Sequence, residues 1–258
     1  MDSGLASVLN DDALAVGTWL SVGHPTVAEL ATLAGPDFLL IDLEHTPTTY
    51  ETALEMVRAT EAADPRVAPV IRPRANDRPL IQRALDLGIP GVMIPMIADK
   101  AEAKAAVSAC QYPPIGTRGV AGTRPAEYGA AFGQYVQTAD EAVTVILQIE
   151  TEAAVENVDQ IASVEGVDAL FVGPSDLTAN LGIFGEADHD TYRRAVERVR
   201  QAGEKHGLPV GTLAVGEWQV RDQLDLGFDF IIAGKDEIHL RKGIEDTVRL
   251  TRQVSRDL

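Results

Sequence analysis

Val143-Thr144-Val145-Ile146-Leu147-Gln148-Ile149-Glu150 is β-branched and apolar almost throughout, and it ends in a carboxylate. Such a run reads as a strand buried on both faces, as in a parallel sheet. Ala169-Leu170-Phe171-Val172-Gly173-Pro174-Ser175-Asp176 repeats the pattern and also ends in an acid. The C-terminal ends of parallel strands face the side where α/β sheets and barrels keep their ligands. Two acids on one rim suit a hard divalent cation. Either acid alone reads equally well as a polar residue where a strand meets water.

Six more runs of this kind occupy residues 15–22, 38–45, 67–73, 91–97, 210–215 and 228–234. Helical patterns separate them. Tyr50, Ala53, Leu54 and Val57 recur at helical spacing, as do Tyr192, Val196 and Val199. Thr151 reads as an N-cap, and Gly88, Gly166, Gly207 and Gly227 stand where helix C-caps belong. Eight β/α units in 258 residues predict one (β/α)8 TIM barrel spanning residues 1–258, with a doubly wound open sheet as the alternative. The segment Tyr112–Gly122 breaks the rhythm with Pro113, Pro114 and several glycines around Arg118. It is expected to be a structured loop serving as an active-site lid or a subunit contact.

Composition narrows the function. The formal charge is −17, from 39 acids against 22 bases, which argues against a general nucleic-acid binder. Five of those bases are lysines. Acid excess with scarce lysine is the balance expected of a protein adapted to high salt, where screening removes self-repulsion. A melting temperature that rises along a KCl series would bear this out; a flat or falling one would not. The single cysteine, Cys110, allows no intrachain disulfide and fits a reducing compartment. No apolar run reaches membrane-spanning length and the N-terminus lacks a basic leader, so a soluble cytoplasmic protein without membrane partners is expected.

The strand ends can be read as one rim: Asp42, Glu44, His45, Arg72, Gln148, Glu150, Ser175, Asp176 and Lys235. Glu150 and Asp176 offer oxygen donors suited to Mg²⁺ or Mn²⁺, and two protein ligands leave positions for substrate and water. Zinc is less suited, because His45 is the rim's sole histidine and Cys110 lies away from a strand end. Arg72 is a cation able to stabilise an oxyanion or hold a carboxylate. His45 can move protons near neutral pH, or it can merely cap a helix. Lys235 is the lysine nearest a strand end. It admits Schiff-base chemistry, although such an enzyme would not need the paired acids.

Five ordered motifs resemble one family. They are Ile41-Asp42-Leu43-Glu44-His45, Arg72-Pro73 with Asn76-Asp77, Tyr112-Pro113-Pro114 through Gly116 to Arg118-Gly119, Gln148-Ile149-Glu150, and Gly173-Pro174-Ser175-Asp176-Leu177. Their order and spacing are similar to those of the HpcH/HpaI aldolases. These are class II, metal-dependent pyruvate aldolases that include the 4-hydroxy-2-oxoheptanedioate and 2-dehydro-3-deoxyglucarate enzymes.

The resemblance implies a phosphoenolpyruvate/pyruvate-type TIM barrel whose last helix is exchanged between subunits of a homo-oligomer, a hexamer or trimer. It implies Glu150 and Asp176 as ligands of Mg²⁺, Mn²⁺ or Co²⁺. Gln148, Ser175, Arg72 and Leu213 become substrate contacts. His45, Arg72 and Asp42 become catalytic, with Asp86 supporting His45. The implied reaction cleaves a 2-oxo-4-hydroxy acid to pyruvate and an aldehyde. His45 takes the 4-hydroxyl proton, and Arg72 and the metal stabilise the pyruvate enolate. Two departures stand out. The segment after Val120 is short, and Lys235 replaces an uncharged residue; it reads either as a solvated lysine at a helix start or as a contact to the distal part of the substrate. A citramalyl- or malyl-CoA-type lyase and a non-catalytic pyruvate-binding barrel are the competing readings.

Overall fold

In the computed structural model, which describes residues 4–11, 13–140 and 142–257, the apolar runs become strands. The chain begins with α1 (Gly4–Leu9), β1 (Ala15–Leu20), α2 (Pro25–Leu33), β2 (Phe38–Asp42), α3 (Tyr50–Ala63), β3 (Ala68–Arg72), α4 (Arg78–Leu85), β4 (Gly91–Ile94) and α5 (Lys100–Cys110). It continues with α6 (Phe132–Thr138), β5 (Thr144–Ile149), α7 (Glu152–Ala162), β6 (Ala169–Val172), α8 (Pro174–Asn180) and α9 (Asp190–His206). It ends with β7 (Val210–Ala214), α10 (Glu217–Asp225), β8 (Phe230–Lys235) and α11 (Asp236–Asp257). Each strand pairs in parallel with its sequence neighbours and β8 closes on β1, so the sheet is a TIM-type barrel and not an open sheet.

The strands are apolar on both faces because both faces are covered. Along β2, Leu39 and Ile41 pack into the layer between sheet and helices. Phe38 and Leu40 point the other way and fill the barrel with Trp19, Val70, Met93, Ile146, Phe171 and Phe230. The short α1, absent from the sequence reading, adds Leu5 and Leu9 to that interior cluster. A Cβ on Gly91 would lie 2.3 Å from Leu5 Cδ2, so any larger residue there would have to displace the Leu5 side chain. Local signals hold at the helix ends. Thr151 Oγ1 accepts from Ala154 N at 3.0 Å, and Gly207 ends α9 with φ 68°.

Three expectations are corrected. The run 91–97 stops being strand at Ile94, because Pro95 has no N–H and Met96 adopts φ 58°. The segment Tyr112–Gly122 follows a helix, α5, and leads into β5, so it lies at the barrel end opposite the strand C-termini. It is not a lid over Glu150 in its own chain. Gly119 N donates to Gln82 Oε1 at 3.1 Å, and Arg118 is fully buried over the Tyr112 ring, 3.3 Å from Asp86. Asp86, expected beside His45, caps the C-terminus of α4. Because α4 runs back along β3, that cap sits at the far end of the barrel from the rim.

The last helix behaves unlike the others. It touches its own barrel at β1 and β8, while Leu240, Ile244, Val248, Leu250 and Val254 remain exposed. Val16, Val27, Leu30 and Ala31 line an open apolar groove beside its first turn. Among the described residues no helix is long and apolar enough to cross a membrane.

Candidate active site

The barrel register aligns Asp42 with Arg72, so the last residues of β2 and β3 stand side by side. Both side chains are almost fully buried. Arg72 Nε and Nη2 donate to the two oxygens of Asp42, each at 2.9 Å. Nη1 lies 2.9 Å from Glu44 Oε2 and 3.5 Å from Gln148 Oε1. Gln148 in turn donates to Glu150 Oε2 at 3.1 Å. A hydrogen-bonded line thus crosses the mouth from β2 through β3 to β5. With both carboxylate oxygens engaged, Asp42 holds Arg72 in place and is not free to take a proton. Burial alone would raise its carboxyl; the hydrogen bonds and charge of Arg72 outweigh that and hold it below the usual carboxylate range.

Glu150 is the buried acid of the site, 2 % exposed. Its oxygens accept from two neutral groups, Gln148 Nε2 and the Met96 amide at 2.7 Å. The left-handed backbone at Met96 accompanies that amide contact, a strained position at a functional site. Gly173 leaves the room needed, since a Cβ there would meet Glu150 Oε2 at 2.7 Å. Burial first, then the charges of Asp176 and Glu44, pushes the Glu150 carboxyl up to about 7. Glu44 is also raised by burial, with Arg72 opposing.

A buried carboxylate that no bonded side-chain cation neutralises, facing a second acid, fits a divalent cation. Among the described residues no three His, Cys, Asp or Glu groups could hold a metal together. Glu150 and Asp176 would make a two-carboxylate donor set, one that leaves coordination positions open to substrate and water.

His45 stands at the rim with its side chain 67 % exposed, and its Nε2 is 3.9 Å from Glu44 Oε2. Glu44 therefore joins the histidine to Arg72. Ser175 and Asp176 open α8, and Ser175 shares a cavity wall with Leu213 and Lys235. Asp86, expected to support His45, stands at the other end of its own barrel, on the C-cap of α4. The sequence reading missed Trp19. Its indole carries the Arg72 guanidinium 4.4 Å from the ring centroid, carries the Lys235 ammonium at 5.2 Å, and donates to Asp42 Oδ2 at 3.4 Å. An aromatic within a buried strand gives no local sign that its ring meets two cations.

The HpcH/HpaI aldolase/citrate lyase family model matches residues 15–242. A Novosphingobium aromaticivorans protein named 4-hydroxy-2-oxovalerate aldolase is 38% identical over 247 residues, covering 96% of this chain and 94% of its own length. An Escherichia coli K12 protein named 5-keto-4-deoxy-D-glucarate aldolase is 37% identical over 221 residues, 86% of each chain. A solved structure, an HpcH/HpaI aldolase/citrate lyase family protein from Burkholderia cenocepacia J2315, superposes with a TM-score of 0.93 at 37% identity, covering 97% of this chain and 99% of that one.

Proposed function

The chain belongs to the HpcH/HpaI aldolase/citrate lyase family, carbon–carbon lyases, and from that premise we propose a metal-dependent cleavage of a 2-oxo-4-hydroxy acid into pyruvate and an aldehyde. The observation that carries this reading is the line from Asp42 through Arg72 and Gln148 to Glu150. It puts a fixed cation and a buried acid at one mouth.

A divalent cation on Glu150 and Asp176, magnesium or manganese by the hardness of the donors, would polarise the 2-oxo group. Arg72 has five N–H groups, and Asp42, Glu44 and Gln148 take four, leaving one on Nη2 for a ligand. That N–H stabilises the oxygen on which charge develops as the C3–C4 bond breaks. His45, open to water, accepts the 4-hydroxyl proton and returns it in the reverse direction. Gln148 and Ser175 orient the pyruvate half, and Asp42 and Glu44 keep Arg72 from turning away. Pyruvate release from a panel of 2-oxo-4-hydroxy acids, coupled to lactate dehydrogenase, tests the reading. Release that EDTA abolishes is expected; no pyruvate from any member of the panel sinks it.

The reading extends to assembly. The exposed apolar side of α11 and the open groove beside β1 and α2 suit exchange of this helix between copies, in a trimer or hexamer. Light scattering should give a multiple of the 27.6 kDa chain mass. Ile244→Glu with Val248→Glu should lower that mass. A monomeric wild type would end the idea.

A further inference from the structure

We propose that Lys235 recognises a carboxylate at the far end of the substrate, so that the aldehyde released is itself an acid. The proposal rests on the aldolase reading and names its substrate class.

Lys235 ends β8 half-buried, its ammonium 5.2 Å from the centroid of the ring that also carries Arg72. The two cations differ in their partners. Arg72 is neutralised by Asp42 and Glu44. Lys235 has no carboxylate partner among the described residues, in a chain with 39 acids. Stacking against Trp19 holds this charge at the mouth and leaves its N–H groups for a ligand.

A cavity of about 350 Å³ lies on the same side, walled by Ser175, Thr178, Leu213, Gln219, Gln223 and Lys235. Ser175 adjoins the acid Asp176, so the cavity begins where the pyruvate half would end. Its polar wall is rich in donors. Gln219 Oε1 is already taken by Val215 N at 2.7 Å, which leaves the amide NH₂ to face a ligand. Thr178 Oγ1 is spent on Pro174 O and Gly185 N. Lys235 is the single cation among the described residues of that wall, and the single acid, Glu237, is exposed. A wall that offers a cation and an amide NH₂, with its one acid exposed, suits a carboxylate. An alkyl end would leave the ammonium and the amide unpaired, which costs more than an absent contact.

The test is aldol addition of pyruvate to succinic semialdehyde and to butanal, aldehydes of equal chain length with and without a carboxylate. The readout is the ratio of their kcat/KM values. Wild type should favour the acid aldehyde. Lys235→Met should lower that ratio at least about tenfold, by loss of one charged hydrogen bond. Lys235→Arg should keep most of it. Lys104→Met, an exposed lysine on α5, should leave the ratio at the wild-type value. An unchanged ratio in Lys235→Met, or a wild type that favours butanal, overturns the proposal. Exchange of pyruvate methyl protons by the wild type in D₂O separates the two levels. Exchange with an unchanged ratio removes the lysine alone, whereas no exchange removes the aldolase reading and this proposal with it.

Discussion

Replacing Glu150 or Asp176 with alanine should lower kcat/KM for cleavage at least about a thousandfold at limiting metal, with the barrel still folded. In the proposed site each would remove one of the two carboxylate donors to the cation, and the remaining carboxylate would not hold it in place. Glu150 adds a pH signature. Its carboxyl is pushed up to about 7, chiefly by burial, from an ordinary value of 4.5. A carboxyl raised by folding carries no penalty below the unfolded value, where both states are protonated. Its cost grows as pH rises from about 4.5 to about 7 and is constant above that.

A cation needs the bare carboxylate and so competes with this proton. The rise in Tm on adding Mn²⁺ should therefore be small near pH 5, grow through pH 7 and level off. Glu150→Gln should lose both the metal response and the pH penalty of the metal-free protein. A metal-induced shift of equal size at pH 5 and pH 8, or one that survives in Glu150→Gln, would show that the cation binds elsewhere.

His45→Ala should cost about 10²- to 10³-fold in cleavage, the range of a general base, but less than about tenfold in exchange of pyruvate methyl protons. The 4-hydroxyl proton exists only in the aldol substrate. In the proposed mechanism enolate formation leans on Arg72 and the cation, which this variant would leave in place. His45 suits such a test because its side chain is exposed and its ionic neighbour among the described residues, Glu44, is also paired to Arg72. Arg72 does not, since its removal strands Asp42 in a buried setting at a cost of about 3–5 kcal/mol. Equal losses in both assays would assign His45 to both steps.

Most of the barrel was legible because its signals are local. A strand buried on both faces announces itself by composition, and a helix end by its cap, as at Thr151 and Gly207. The residue closing a parallel strand reaches the rim wherever the strand sits in the barrel. Asp42, Arg72, Gln148 and Glu150 could therefore be gathered from three short stretches.

What the tertiary structure alone decided concerns partners. Asp86 and Arg118 lie 32 positions apart and pair at the far end of the barrel, away from His45. The Met96 amide reaches Glu150 across 54 positions of sequence. Trp19 meets Lys235 because β8 closes on β1, and it meets Arg72 across the intervening β2. Composition and periodicity record which face of an element is apolar. Which polar groups then meet depends on strand register and barrel closure, and these exist only once all eight strands are in place.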